Sequence, residues 1–132
     1  LKSEGRATFE QGIARDLGVE FVELEPEKVV ATMPVDARHL QPLGYLHGGA
    51  SVVLAETVAS VGGWLNCPEG KGAFGSEISA SHLRPKRDGT LTATATPLHR
   101  GRGSQVWQIH IADEEGRPVC VSRCTLAVVD LG

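Results

Sequence analysis

The sequence predicts an α+β domain in which an antiparallel sheet wraps one long buried helix. Three observations carry that expectation: a proline-free block from Ala50 to Leu65 made mainly of Ala, Val and Leu, four strand-like stretches after it, and short glycine-bearing turns between those stretches. The 132 residues, 41% hydrophobic and 22% charged, suffice for one core, so a single domain over residues 1–132 is expected.

In chain order, a short helix is expected from Thr8 to Asp16. Val19–Leu24 and Lys28–Met33 read as a strand pair turning at Glu25-Pro26-Glu27. Asp36 to Leu46, with its proline and glycine, reads as a loop leading into the central helix. The later strands are expected at Ala73–Leu83, Thr90–Leu98, Ser104–Ala112 and Pro118–Val129, separated by Arg87-Asp88-Gly89, Arg100-Gly101-Arg102-Gly103 and Asp113-Glu114-Glu115-Gly116. In the third of these strands Val106, Ile109 and Ile111 read as the apolar set against Gln105, Gln108 and His110, with Trp107 adding bulk to the polar-looking face.

The Ala50–Leu65 block is apolar on nearly every side, which belongs inside a protein or a membrane. A span needs about 20 predominantly apolar residues, and this block carries Glu56 and ends near Gly62-Gly63, so a core helix is expected and no membrane. His47-Gly48-Gly49 opens it. Glycines there let backbone approach a ligand, and the first turn of a helix leaves N–H groups unpaired at its positive end, suited to an anion or a developing oxyanion.

Glu56 is costly to bury in such a helix unless it is paired, protonated or used in chemistry. Its neighbours one turn away are Val52, Val53, Ala59 and Ser60, none of them a cation. Eight positions separate Gly48 from Glu56, roughly 12 Å along the axis and about 80° around it. One helix cannot bring its own carboxylate to its own Gly48 amide. If both serve one reaction, two subunits share the site across an antiparallel two-fold contact.

The net charge of −3 gives no reason to expect nucleic acid or an anionic membrane as partner. Cys67, Cys120 and Cys124 lack metal-ligand spacing, and Cys120 and Cys124 in an extended strand lie roughly 13 Å apart, too far for a disulfide. They read as buried filler in a reducing compartment, and the polar start at residues 1–6 lacks the apolar stretch of a secretory signal, so a cytoplasmic location is expected. No metal or redox cofactor is expected.

The run from Gln41 through His47-Gly48-Gly49 to Glu56, followed by Ser60, resembles the hotdog-fold acyl-CoA thioesterases of the 4-hydroxybenzoyl-CoA type. The likeness is nearest to the branch hydrolysing 1,4-dihydroxy-2-naphthoyl-CoA in menaquinone or phylloquinone synthesis. It extends to Met33-Pro34-Val35-Asp36, His82-Leu83-Arg84, Pro97-Leu98-His99 and Gln105–Ile109, nearly the whole chain. The resemblance implies that Glu56 attacks the thioester or activates water, and that the Gly48 amide holds the thioester oxygen. It also implies that His47 and Gln41 position the thioester and that Ser60 orients water or carboxylate. It further implies that Gln41 and Gly48 face Glu56 and Ser60 across a subunit interface, with two dimers forming a homotetramer.

Coenzyme A phosphates call for cations, and His82, Arg84, Lys86-Arg87 and Arg100 with Arg102 are the candidates; His82 and Arg84 are favoured, followed by Arg102 and Ser104. The glycine-flanked turn Arg100–Ser104 departs from the expected pattern of relatives. The acyl pocket is expected to draw on Leu43, Tyr45, Val53 and Trp64, suiting an aromatic or hydrophobic acyl group. Two other readings are a hotdog dehydratase or hydratase, against which the Gly48-Gly49 pair argues, and a non-catalytic acyl-CoA binding protein, which gains nothing from a desolvated Glu56.

Overall fold

The computed structural model describes Arg6 and residues 8–132; the first five residues, which carry most of the polar start, lie outside the described residues. Helix α1 (Gly12–Asp16) precedes a strand pair, β1 (Glu20–Glu25) and β2 (Lys28–Pro34). A 3-10 turn at Ala37–His39 leads to the long helix α2 (Gly48–Leu65), followed by β3 (Lys71–His82), β4 (Thr90–Arg100), β5 (Ser104–Ala112) and β6 (Pro118–Asp130). The strands form one six-stranded sheet in the order β1-β2-β4-β5-β6-β3, every pairing antiparallel. It curls around α2, which touches every strand, as the α+β hotdog expectation requires.

The contact follows from residue size. On the inner face of β5 the buried residues are Gln105, Trp107, Ile109 and Ile111, so the expected parity needs correction: Val106 lies on the opposite face and the polar-looking Gln105 points inward. Gln105 is satisfied there, because its Nε2 donates to the Gly63 carbonyl at 3.3 Å and its Oε1 accepts from Trp107 Nε1 at 2.9 Å. A buried amide with both ends bonded carries little penalty.

Gly62 is where the Trp107 ring meets α2. A Cβ at Gly62 would lie 2.6–2.9 Å from three ring atoms of a side chain with no exposed surface. Gly62→Ala is expected to destabilise the fold by about 2 kcal/mol through overpacking, read as a lower midpoint in urea denaturation. An unchanged midpoint would mean that the ring yields freely.

The expected Thr8–Asp16 helix is broken. Residues 8–9 are helical, residues 10–11 are not, and Gly12 has φ +62°. Glu10 has turned away to accept the Phe21 N–H at 2.7 Å, an interaction with β1 that outcompetes helix continuation. The loop after β2 is tied at its base by buried His39, whose Nδ1 accepts from the Asp36 N–H and whose Nε2 donates to the Leu17 carbonyl at 2.8 Å.

Candidate active site

Five of the half-buried residues of α2 fall into one stripe: Val53, Glu56, Thr57, Ser60 and Trp64. Their spacing is helical, so they share a face. With residues from the N-terminal segment they line an apolar cavity of about 650 Å³. Glu56 and Ser60, one turn apart, are the polar groups that α2 adds beside Thr57.

The Glu56 carboxylate rests directly on β3. A Cβ at Gly75 would sit 2.2 Å from Oε2 and 3.1 Å from Cδ, so only glycine there leaves room for it. Gly75 adjoins a register irregularity between Gly75 and Glu77 in the β3–β6 pairing, which locally bends the strand. Among the described residues no cation and no hydrogen-bond donor engages the Glu56 side chain. A structural ion pair therefore does not account for this carboxylate.

Cys124 lies close by. Burial, with the Glu56 charge as a second cause, pushes its thiol up to about 12, so it remains a neutral thiol beside the carboxylate. All three cysteines are free.

The start of α2 opens onto a second cavity, of about 460 Å³, lined by Gln41, Tyr45, Gly48, Ser51, His82 and Arg84 among others. His47 caps the helix, its Nδ1 accepting the Gly49 N–H at 2.7 Å, while the Gly48 N–H has no acceptor among the described residues. The His82 ring packs onto Gly48, where an added Cβ would come within 2.7 Å of Nε2. Ser51, 1% exposed, lines this cavity with its Oγ unpartnered, a feature the sequence reading passed over.

The loop carrying Gln41 is held in three ways. Gln41 donates its N–H to the Tyr45 carbonyl at 2.7 Å and its Oε1 accepts the Leu43 N–H. Arg87 lies over the Tyr45 ring, 4.5 Å from its centre, and bonds its hydroxyl at 2.9 Å. The Lys86 carbonyl accepts the Leu46 N–H at 2.7 Å, and the same residue's ammonium bonds Glu114, holding that carboxyl down to about 2. Lys86, Arg87 and Arg100 are thus engaged within the chain, Arg100 with Asn66 Oδ1 at 3.2 Å, whereas Arg84 and Arg102 are exposed and unpaired among the described residues.

The nine sequence-chosen residues separate into two groups. Gln41, His47, Gly48, His82 and Arg84 gather at the start of α2. Glu56 and Ser60 occupy the other cavity, and Ser104 lies one cross-strand row from the Gly75 cradle, since Ser104 pairs with Ala127, which pairs with Phe74, while Gln105 pairs with Leu126, which pairs with Gly75. Arg102 is in the same β4–β5 turn. Seven residue steps along β3 separate Gly75 from His82, roughly 23 Å. Of the four residues expected around the acyl group, Val53 and Trp64 line the Glu56 cavity and Tyr45 the other; Leu43 lines neither and is 79% exposed, because the tight turn after Pro42 directs it outward. The N-terminal wall, with Phe9 and Ile13, was missed: those residues carry no chemistry of their own, and only the fold brings them to Glu56.

A family model described as the thioesterase superfamily matches residues 43–120. The chain is 50% identical to a 1,4-dihydroxy-2-naphthoyl-CoA hydrolase of Escherichia coli, covering 86% of this chain and 83% of that protein. It is 47% identical to a proofreading thioesterase, EntH, of Cronobacter turicensis over 93% of this chain and 90% of the relative. The crystal structure of a thioesterase from Haemophilus influenzae superposes with a TM-score of 0.90 at 48% identity, over 96% of this chain and 88% of that one.

Proposed function

Since the chain belongs to the thioesterase superfamily and is a thioester hydrolase, we propose that it cleaves an aromatic acyl-CoA to the free acid and coenzyme A, with Glu56 as the reacting carboxylate. The observation that carries this reading is the Glu56 side chain itself: seated over Gly75 on the wall of an apolar cavity, with no cation to neutralise it among the described residues. A carboxylate left without a counter-charge beside apolar side chains is available to react, either with the thioester carbon directly or with a water that attacks it.

In either route the carbonyl oxygen gains negative charge as the tetrahedral intermediate forms. The free Gly48 N–H at the positive end of α2 would stabilise it. The coenzyme A thiolate then leaves and takes up a proton: where water attacked, with Glu56 accepting its proton, the acid is released at once, and where Glu56 attacked, water cleaves the resulting mixed anhydride to the acid and returns the carboxylate; the scheme requires no metal or other cofactor. Gln41 and His47 would flank the thioester, Ser60 would orient water or carboxylate, and His82 with Arg84, joined by Arg102 and Ser104, would meet the phosphates. The apolar lining suits a flat acyl group, and 1,4-dihydroxy-2-naphthoyl-CoA, named for the Escherichia coli relative, is the first substrate to try. Free thiols suit a cytoplasmic setting.

The two cavities of one chain would form complete sites only between two chains. An antiparallel dimer is favoured by β3, a twelve-residue edge strand whose outer side has no strand partner among the described residues. Two such dimers would make a tetramer. The test is complementation. Glu56→Gln and Gln41→Ala proteins, each nearly inactive alone, are expected to regain about a quarter of wild-type activity when unfolded together and refolded as mixed dimers, since half the dimers then hold one unaltered site. No recovery, with mixed dimers demonstrated, would place both residues in a site within one chain and remove the shared-site reading.

A further inference from the structure

The Glu56 cavity has two walls of different origin. One is α2, with Val53, Val61 and Trp64; the other is the N-terminal segment, with Phe9 and Ile13. Ile13 is 60% exposed although apolar, and its side chain borders the cavity.

This second wall is fastened to the sheet at Phe21. Phe21 lies in β1, the edge strand opposite β3. Its N–H donates to the Glu10 carboxylate at 2.7 Å, its carbonyl accepts from Arg6 Nη1 at 3.2 Å, and its ring takes the edge of Phe9 with centroids 6.2 Å apart. Side chains on both sides of Phe9 thus occupy the backbone groups of an edge strand, where another strand would otherwise bond. Gly12, in the left-handed region with no atom near its missing side chain, turns the chain so that Ile13 faces the cavity.

Resting on the acyl-CoA hydrolase reading above, we propose that residues 8–14 form the acyl-selecting wall, in which Ile13 and Phe9 set the size of aryl group admitted beside Glu56. Glu10 is a positioning residue that acts through Phe9. Apolar pockets discriminate by whether a group is filled or excluded, and a ring too large for the space loses far more than one that is slightly too small. Ile13 is 60% exposed, so its side chain can change with little effect on the core.

The experiment compares kcat/KM for 2-naphthoyl-CoA and benzoyl-CoA in the wild type, Ile13→Trp, Ile13→Ala, Glu10→Ala and Glu10→Gln, with Glu56→Gln as the reference for residual turnover. The naphthoyl-to-benzoyl ratio is expected to fall at least about tenfold in Ile13→Trp and to rise in Ile13→Ala. Glu10→Ala should shift the ratio, and Glu10→Gln, whose amide oxygen still accepts the Phe21 N–H, should restore it. Equal loss on both esters, or an unchanged ratio in the Ile13 variants while turnover stays Glu56-dependent, would overturn the selecting wall and leave the hydrolase reading standing. Absence of Glu56-dependent turnover in the wild type on any ester would instead overturn the hydrolase reading, and the wall with it.

Discussion

Glu56→Gln is expected to lower kcat on aryl-CoA thioesters by about 10³-fold or more, because the amide can neither attack a carbonyl nor take a proton from water. The replacement keeps shape and length, and it breaks no ion pair, since none engages Glu56 among the described residues. The thermal midpoint should therefore stay close to wild type while thiol release nearly stops. Turnover retained at the wild-type rate would remove Glu56 from the chemistry. Both routes for the carboxylate predict the same loss, so the measurement bears on the residue rather than on the choice of route.

A smaller change should also slow the reaction, without removing any polar atom. Gly75→Ala puts a methyl group 2.2 Å from the resting position of Glu56 Oε2. Something has to move, and the far end of a flexible side chain moves more easily than a strand held by β6 on one side. The carboxylate would shift by about 1 Å, which in a positioned reaction costs on the order of 10²-fold in rate. Measured side by side, Gly75→Ala should show a large fall in kcat, a modest change in KM and a nearly intact denaturation curve. A variant that unfolds instead would place the strain in the strand, and one with full activity would mean that the carboxylate does not work from its seat over Gly75.

The parts of this arrangement that could be read from the sequence are those whose cause is local. An unbroken apolar block with a single acid declares both the helix and the oddity of Glu56, and the eight-residue offset from Gly48 already separates the two groups in space. The parts that could not be read depend on partners far along the chain. Gln105 turns inward because Gly63, forty-two positions earlier, offers it a carbonyl, and this reverses the face on which Val106 was expected. The first helix breaks because the Phe21 N–H, eleven positions on, draws Glu10 away. Gly75 reads as an ordinary strand glycine until the β3–β6 register sets it under a carboxylate. Leu43 looked like pocket lining by virtue of being apolar and near Gln41, but proximity in sequence says nothing about which way a turn residue points.

The division of reactive groups between two cavities of one chain also bears on how rate depends on the amount of protein. A lone chain carries a carboxylate and an unpaired amide that cannot meet on the same thioester, so on the shared-site reading it contributes nothing until it finds a second. At concentrations well above the dissociation constant of the pair, rate scales with the number of chains. Far below it, the number of complete sites scales with the square of chain concentration, so that dilution lowers the rate per molecule as well as the total. Bound substrate, by touching both chains, would pull them together and oppose that loss.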